Sequence, residues 1–313
     1  MEYVELGKTG LQVSQLVFGT LIMGPLQRDI TAEVGSVVIR KGLEAGINFL
    51  DTAQLYGTYG HISQALQGFE NDVIIASKSA VSKYEDMATA VEEAQAKLGR
   101  SVEIFLMHAV KNEEDLERRQ GAWQCLLNLK KSGVIRAAGL STHNLDIVDQ
   151  VSEWPEIDVI HPIYNKLNFG LVNEHKKNPA DVLKKTFLKG IGMYAMKPLA
   201  GGHLYKDLVS SLRYAFDFPF LHAVAIGMLT EQELMVNLKV YHNEVVSEEE
   251  LQSARNDKRM YVIGFCTGCG SCLEACEHGA MSMDTQRASI EHSKCILCGY
   301  CRKACPHNMI RIV

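Results

Sequence analysis

Phe49-Leu50-Asp51-Thr52-Ala53-Gln54-Leu55-Tyr56-Gly57 begins inside an apolar run, residues 47–51, whose last position is a carboxylate. A short apolar run that ends on an ionisable group reads as a buried strand opening at its C-terminal end onto a polar space. The pattern recurs downstream. Val73-Ile74-Ile75-Ala76-Ser77-Lys78 ends on an amine and Ile104-Phe105-Leu106-Met107-His108 on an imidazole. Five further runs end at Thr20, Ser141, Asn165, Pro198 and Met228, which makes eight strand ends spaced 24 to 33 residues apart. A barrel of eight βα units in about 250 residues needs roughly 30 residues per unit. Helical patterns at 88–98 and 113–131 fill two of the gaps, the second with Leu116, Trp123, Leu126 and Leu127 on one face. A doubly wound three-layer sheet shows the same alternation; the count and spacing favour an α/β (β/α)8 TIM barrel.

Before the first strand, 3–6 and 11–13 flank Gly7-Lys8-Thr9-Gly10, a hairpin pattern. The barrel is expected over 1–243 and a linker helix in 244–260, begun by Ser247 as N-cap with Glu250 three residues later. A separate small domain is expected over 261–313.

The 313 residues are 47% apolar and carry a formal charge of −5, enough apolar content for a core. No apolar run approaches the ~20 residues of a membrane helix, and no basic tract suggests nucleic acid. Met1-Glu2-Tyr3-Val4-Glu5-Leu6 shows no basic region ahead of an apolar one, so export is not expected and a cytoplasmic setting is.

Eight of the nine cysteines fall between Cys266 and Cys305. They form Cys266-x2-Cys269-x2-Cys272-x3-Cys276 and Cys295-x2-Cys298-x2-Cys301-x3-Cys305-Pro306, the bacterial iron–sulfur run in which the fourth cysteine ligates the other cluster. Two copies imply two 4Fe–4S clusters. Cys266, Cys269, Cys272 and Cys305 would hold one, and Cys295, Cys298, Cys301 and Cys276 the other. Paired zinc sites are the alternative, but zinc ribbons use two cysteines per knuckle and leave the third and fourth unexplained. Gly268, Gly270 and Gly299 allow backbone N–H groups close to the sulfurs. The module resembles bacterial two-cluster ferredoxins, an α+β fold, with Glu277 standing where the first motif often has proline. From Asn256 onward there are seven Lys or Arg against five Asp or Glu, formally +2, which leaves −7 for the preceding residues. That contrast suits a small domain docked on its own acidic barrel. Cys125, mid-helix beside Trp123 and Leu126, reads as a buried inert thiol.

The ionisable strand ends resemble the aldo-keto reductases. The resemblance is carried over about 1–243 by Asp51-Thr52-Ala53-x-x-Tyr56-Gly57, Ser77-Lys78, Leu106-Met107-His108, Gly139-Leu140-Ser141, Tyr164-Asn165 and Pro198-Leu199-Ala200-Gly201-Gly202, with a late Gly227…Asn237 stretch. It implies a catalytic set of Tyr56, Asp51, Lys78 and His108. Tyr56 would give a proton to a carbonyl oxygen as hydride reaches carbon. Lys78, held by Asp51, would favour the phenolate, and His108 would bond the developing oxyanion.

The cofactor residues the resemblance implies are Thr20, Asp51, Ser141, His161, Met196 and Asn237. Thr142 stands where the family usually has Asn, His161 where it has Gln, and Met196 where it has a stacking Tyr. A nicotinamide, NAD or NADP, is expected. The loop Gly227-Met228-Leu229-Thr230-Glu231 offers no cation for a 2′-phosphate, which favours NAD. Each cluster passes one electron and nicotinamide a hydride, and a flavin is the usual go-between; no flavin motif is visible, although Lys197 could face one, or a phosphate, or solvent.

The expected function is an iron–sulfur oxidoreductase that interconverts a carbonyl and an alcohol, exchanging electrons through two clusters and a nicotinamide. Its partners would be a small carbonyl or alcohol substrate and an external ferredoxin or similar carrier. The alternatives are an electron-transfer or ferredoxin-docking protein whose barrel binds a ligand without reducing it, and clusters that only staple the tail. Lys166, His175, Lys176 and Lys177 make one barrel loop basic enough for an anionic substrate.

Overall fold

The computed structural model describes residues 1–172, 177–256 and 258–313. Among them, eight parallel strands close into a barrel in chain order, the eighth pairing with the first. They are Leu16–Gly19, Phe49–Asp51, Ile74–Ser79, Ile104–Val110, Ala137–Thr142, Val159–Pro162, Gly192–Ala195 and Ala223–Gly227. Closure rules out the doubly wound sheet.

Alternation along the strands sorts the side chains. Val17, Phe49, Ala76, Leu106, Val159 and Tyr194 face inward and fill the barrel, and Leu6, Leu11 and Val13 of the N-terminal hairpin pack into the same cluster. The hairpin pairs Tyr3–Glu5 with Gln12–Ser14 as its Gly-rich turn requires. A larger core lies between strands and helices. The helix Tyr84–Leu98 shows why: it buries Met87, Ala90, Val91, Ala94 and Leu98, one face at a 3.6-residue period. It starts a turn earlier than the apolar pattern indicates.

The single helix expected over 113–131 is two, Glu113–Arg118 and Gln120–Lys131. The break is at Arg119, 2% exposed, whose guanidinium donates to the carbonyls of Val81, His108 and Ser79. Three tertiary bonds hold the chain in a bend that the local pattern does not show. Cys125 is fully buried, and burial raises its thiol pKa.

Ser247 and Glu250 form the expected capping box at the helix Glu248–Arg255. Beyond it, Met260–Val262 pairs antiparallel with Ile310–Ile312, and Met281–Asp284 with Arg287–Ile290. Two one-turn helices, Ser271–Glu274 and Tyr300–Ala304, follow the cysteine loops. This small domain sits on the C-terminal end of the barrel. Tyr205, from the loop after barrel strand seven, is buried in its core with Met260, Ile310 and Ile312. Arg255 donates to the carbonyls of Tyr205 and Lys206, Lys258 pairs with Glu233, and the Ile312 N–H reaches Gly201 O at 3.4 Å. A Cβ at Gly202 (φ 87°) would overlap the Ile312 carbonyl, so only glycine permits that approach. No described helix is long and apolar enough to cross a membrane.

Candidate active site and cluster domain

Parallel register sets Asp51 opposite Ala76, so Lys78 stands two residues further along the next strand, on the same face as Ala76. Its Nζ reaches back to the Asp51 carboxylate at 2.6 Å and to Thr52 O at 2.7 Å, with the lysine fully buried. Asp51 Oδ1 also accepts the Tyr194 hydroxyl at 2.9 Å, and His161 Nε2 lies 3.8 Å away. Burial opposes ionisation of Asp51, but the charges of Lys78 and His161 and the bonds from Lys78 and Tyr194 outweigh it. Its pKa stays below the ordinary carboxylate range.

Tyr56 ends a 3-10 turn, Gln54–Tyr56, directly after strand two, and Gly57 (φ 67°) turns the chain away. Its ring has Lys78 Nζ 4.9 Å from its centroid and the His108 ring edge-on at 5.4 Å. The four residues of the set thus meet at adjoining strand ends. One expectation fails: Tyr56 is not made more acidic. Burial, and then the Asp51 charge, push its phenol well above 10. Asp51 at 2.6 Å largely cancels the Lys78 charge, so the pair does little to stabilise a phenolate. His108 is a neutral imidazole: burial, then Lys78, hold its pKa near 3.

The residues expected to hold a nicotinamide have the following partners in the fold. Thr20 Oγ1 donates to Asp51 O at 3.0 Å and lies 2.7 Å from Thr58 Oγ1. Ser141 Oγ accepts the Ala109 N–H, and Thr142 donates to Val110 O. His161 Nδ1 is 2.6 Å from Tyr194 O, its ring stacks on Tyr194 at 3.9 Å, and burial holds its pKa near 4. It belongs to the support of Asp51. Met196 extends strand seven, its N–H bonded to Pro162 O. Asn237 Oδ1 is buried with no hydrogen-bond partner among the described residues.

Sequence reasoning missed Tyr194. Its signal was period 2 along strand seven, which puts it inside the barrel beneath Asp51. Lys197 is not a surface charge: burial, then Arg311, bring its pKa to about 7. Of the basic loop, Lys166 pairs with Asp207 and Lys177 with Asp146 and Asp149, so neither is a free cation; His175 and Lys176 lie outside the described residues.

The cysteines gather in two crossed sets. Cys266, Cys269, Cys272 and Cys305 line one small cavity. Cys301 is pushed up to about 11 by burial and then by Cys276, Cys295 and Cys298, which places those three around it. The fourth cysteines match across the pseudo-twofold: Cys276 Sγ accepts the Ala280 N–H and Cys305 Sγ the Met309 N–H, both at 3.3 Å. Gly268 has φ 69°, and its counterpart Leu297 takes φ 55°. Two crossed sets of four thiols are the donor set that a pair of cubane clusters requires.

The family model for aldo/keto reductases matches residues 15–210. The chain belongs to the aldo/keto reductase family. A 4Fe–4S dicluster model matches 249–310. This aldo/keto reductase is thus an oxidoreductase carrying an iron–sulfur domain. It is 28% identical over 180 residues to the Aldo-keto reductase YhdN of Bacillus subtilis, covering 53% of this chain and 54% of the relative. To L-galactose dehydrogenase of Arabidopsis thaliana it is 27% identical over 217 residues, 65% and 67% of the two chains. The matched part therefore spans about half to two thirds of these relatives. The fold is shared with a solved aldo-keto reductase from Bacillus halodurans (TM-score 0.65, 20% identity, 82% of this chain and 96% of that one). None of these likenesses brings a flavin with it.

Proposed function

We propose that the protein interconverts a carbonyl and an alcohol at Tyr56, exchanging the electrons through two 4Fe–4S clusters held by the crossed cysteine sets. Reduction of a carbonyl to an alcohol takes two electrons and two protons; two clusters with one electron each match the electrons, Tyr56 gives the proton to oxygen, and the proton that reaches carbon comes from solvent, or with the electrons as hydride where a nicotinamide is bound. The observation that carries the reading is the convergence of Tyr56, Lys78, Asp51 and His108 at strand ends facing the cysteine domain.

Tyr56 is a neutral phenol at working pH and so carries the proton an oxygen needs as negative charge builds there. Lys78 Nζ, 4.9 Å from the ring centroid, fixes the place of the ring and, being paired with Asp51, leaves the phenol protonated until an acceptor oxygen takes its proton. Asp51, tied by Lys78 and Tyr194, keeps Lys78 protonated and fixed. His108, neutral, donates an N–H toward the same oxygen. A nicotinamide, where it binds, would be held by Asn237, Ser141 and Thr20 and would supply the electron pair as hydride. An external ferredoxin is the expected carrier, and the cytoplasm the expected setting.

Replacing Tyr56 with Phe tests the reading. Turnover of a reducible carbonyl should fall at least 100-fold with cluster absorbance intact; undiminished turnover would remove Tyr56 from the chemistry.

A further inference from the structure

The peptide unit that follows His108 is held from both sides. Its carbonyl, His108 O, accepts from Arg119 Nη1 at 2.9 Å, and its amide, Ala109 N–H, donates to Ser141 Oγ at 2.7 Å. Ala109 takes φ 52° there, a left-handed conformation that residues bearing a Cβ seldom adopt. The register explains the bend. Met107 pairs with Leu140 and Val110 with Thr142, so strand four carries one residue more than strand five over the same span, a β-bulge. The extra residue turns the strand over. Leu106 faces the barrel interior, whereas Val110, which regular alternation would also point inward, lies in the core between strands and helices. Thr142 Oγ1 holds the far side of the bulge by donating to Val110 O at 2.7 Å.

The same guanidinium reaches a second strand end. Arg119, 2% exposed, also donates to Ser79 O at 3.0 Å and Val81 O at 3.3 Å, with Asp115 Oδ2 3.5 Å away to balance its charge. Ser79 is the neighbour of Lys78. One buried side chain thus ties the strand end that carries Lys78 to the strand end that carries His108. A planar fork of N–H donors does this in fixed directions, which a single ammonium cannot. Bulges beside active sites re-aim a side chain, and His108 leaves this one edge-on to the Tyr56 ring at 5.4 Å. Left-handed backbone at a residue with a Cβ persists only where its surroundings over-determine it. Arg119, Ser141 and Thr142 supply that constraint.

We infer that Arg119 and Ser141 are positioning residues for the reaction: together they clamp the bulge that aims His108 at the substrate oxygen beside Tyr56. Each acts through His108. The inference rests on the carbonyl-reducing reading, in which His108 donates to that oxygen. It gives Ser141 a task that needs no nicotinamide, because its oxygen accepts the Ala109 N–H while its own O–H stays available to a ligand.

A double-mutant cycle on the anaerobic full-length protein tests this, with titanium(III) citrate as reductant, methylglyoxal as the carbonyl and no nicotinamide present. Ser141→Ala and Arg119→Met should each lower kcat about tenfold or more with KM for methylglyoxal nearly unchanged, and Arg119→Lys should recover part of the loss. On a His108→Phe background neither should lower kcat further. Losses that add fully to that of His108→Phe would overturn the clamp. Arg119→Met strands three carbonyls; should it fail to fold, Ser141→Ala, which removes a single hydrogen bond, completes the cycle alone. A second readout needs no turnover. The His108 ring protons, identified by their loss in His108→Phe, lie against the Tyr56 ring, so Ser141→Ala should shift or split their NMR signal. An unmoved signal would also overturn the clamp. A moved signal in a protein that reduces no carbonyl would keep the clamp and remove the catalytic reading.

Discussion

The Lys78 ammonium and the Asp51 carboxylate meet at 2.6 Å in the closed interior of the barrel, and Tyr194 donates to the same carboxylate oxygen. Removing one member of a buried pair strands the other charge, which typically costs about 3–5 kcal/mol. Lys78→Met should therefore lower unfolding free energy by that order, against about 1.5–3 kcal/mol for Tyr194→Phe, which removes one hydrogen bond to a charged group. Urea denaturation of the anaerobic protein measures both. Equal, small losses would show that the pair is not buried as described.

The neutral histidines give the fold an acid limit. His108 and His161 have pKa values near 3 and 4, against about 6.5 when unfolded. Between those values and 6.5 the unfolded chain binds protons that the folded chain refuses, so stability rises with pH there. On going from pH 6.5 toward pH 4, each should remove up to about 1.4 kcal/mol per pH unit. His161→Gln should flatten the slope by about one histidine's share. An unchanged slope would mean that His161 is protonated in the native state.

Leu297 holds φ 55° where the matching position of the first cysteine loop is Gly268. Such strain costs a residue with a Cβ about 1 kcal/mol or more. Leu297→Gly should thus stabilise the cluster loop or leave it unharmed, slowing the bleaching of cluster absorbance by an iron chelator. Faster bleaching would show that the Leu297 side chain matters more than its backbone.

Legibility followed locality. Asp51, Lys78 and His108 showed because each is a lone ionisable group ending an apolar run, and the cysteines because their spacing is itself the motif. The break at Arg119 did not show, because carbonyls on two other strand ends hold it. Tyr194 looked like an ordinary strand residue until barrel closure set it against Asp51. Lys197 read as one of several destinies for a loop lysine, because Arg311, whose charge reaches it, lies far along the chain.

The most direct measurement reduces the anaerobic, nicotinamide-free protein, removes the reductant, and follows cluster absorbance as a carbonyl substrate is added. Wild type should be reoxidised by one carbonyl per two electrons with alcohol formed, while Tyr56→Phe stays reduced. Clusters that remain reduced in the wild type, beside carbonyl turnover driven by NADH or NADPH alone, would contradict electron entry through the cysteine domain.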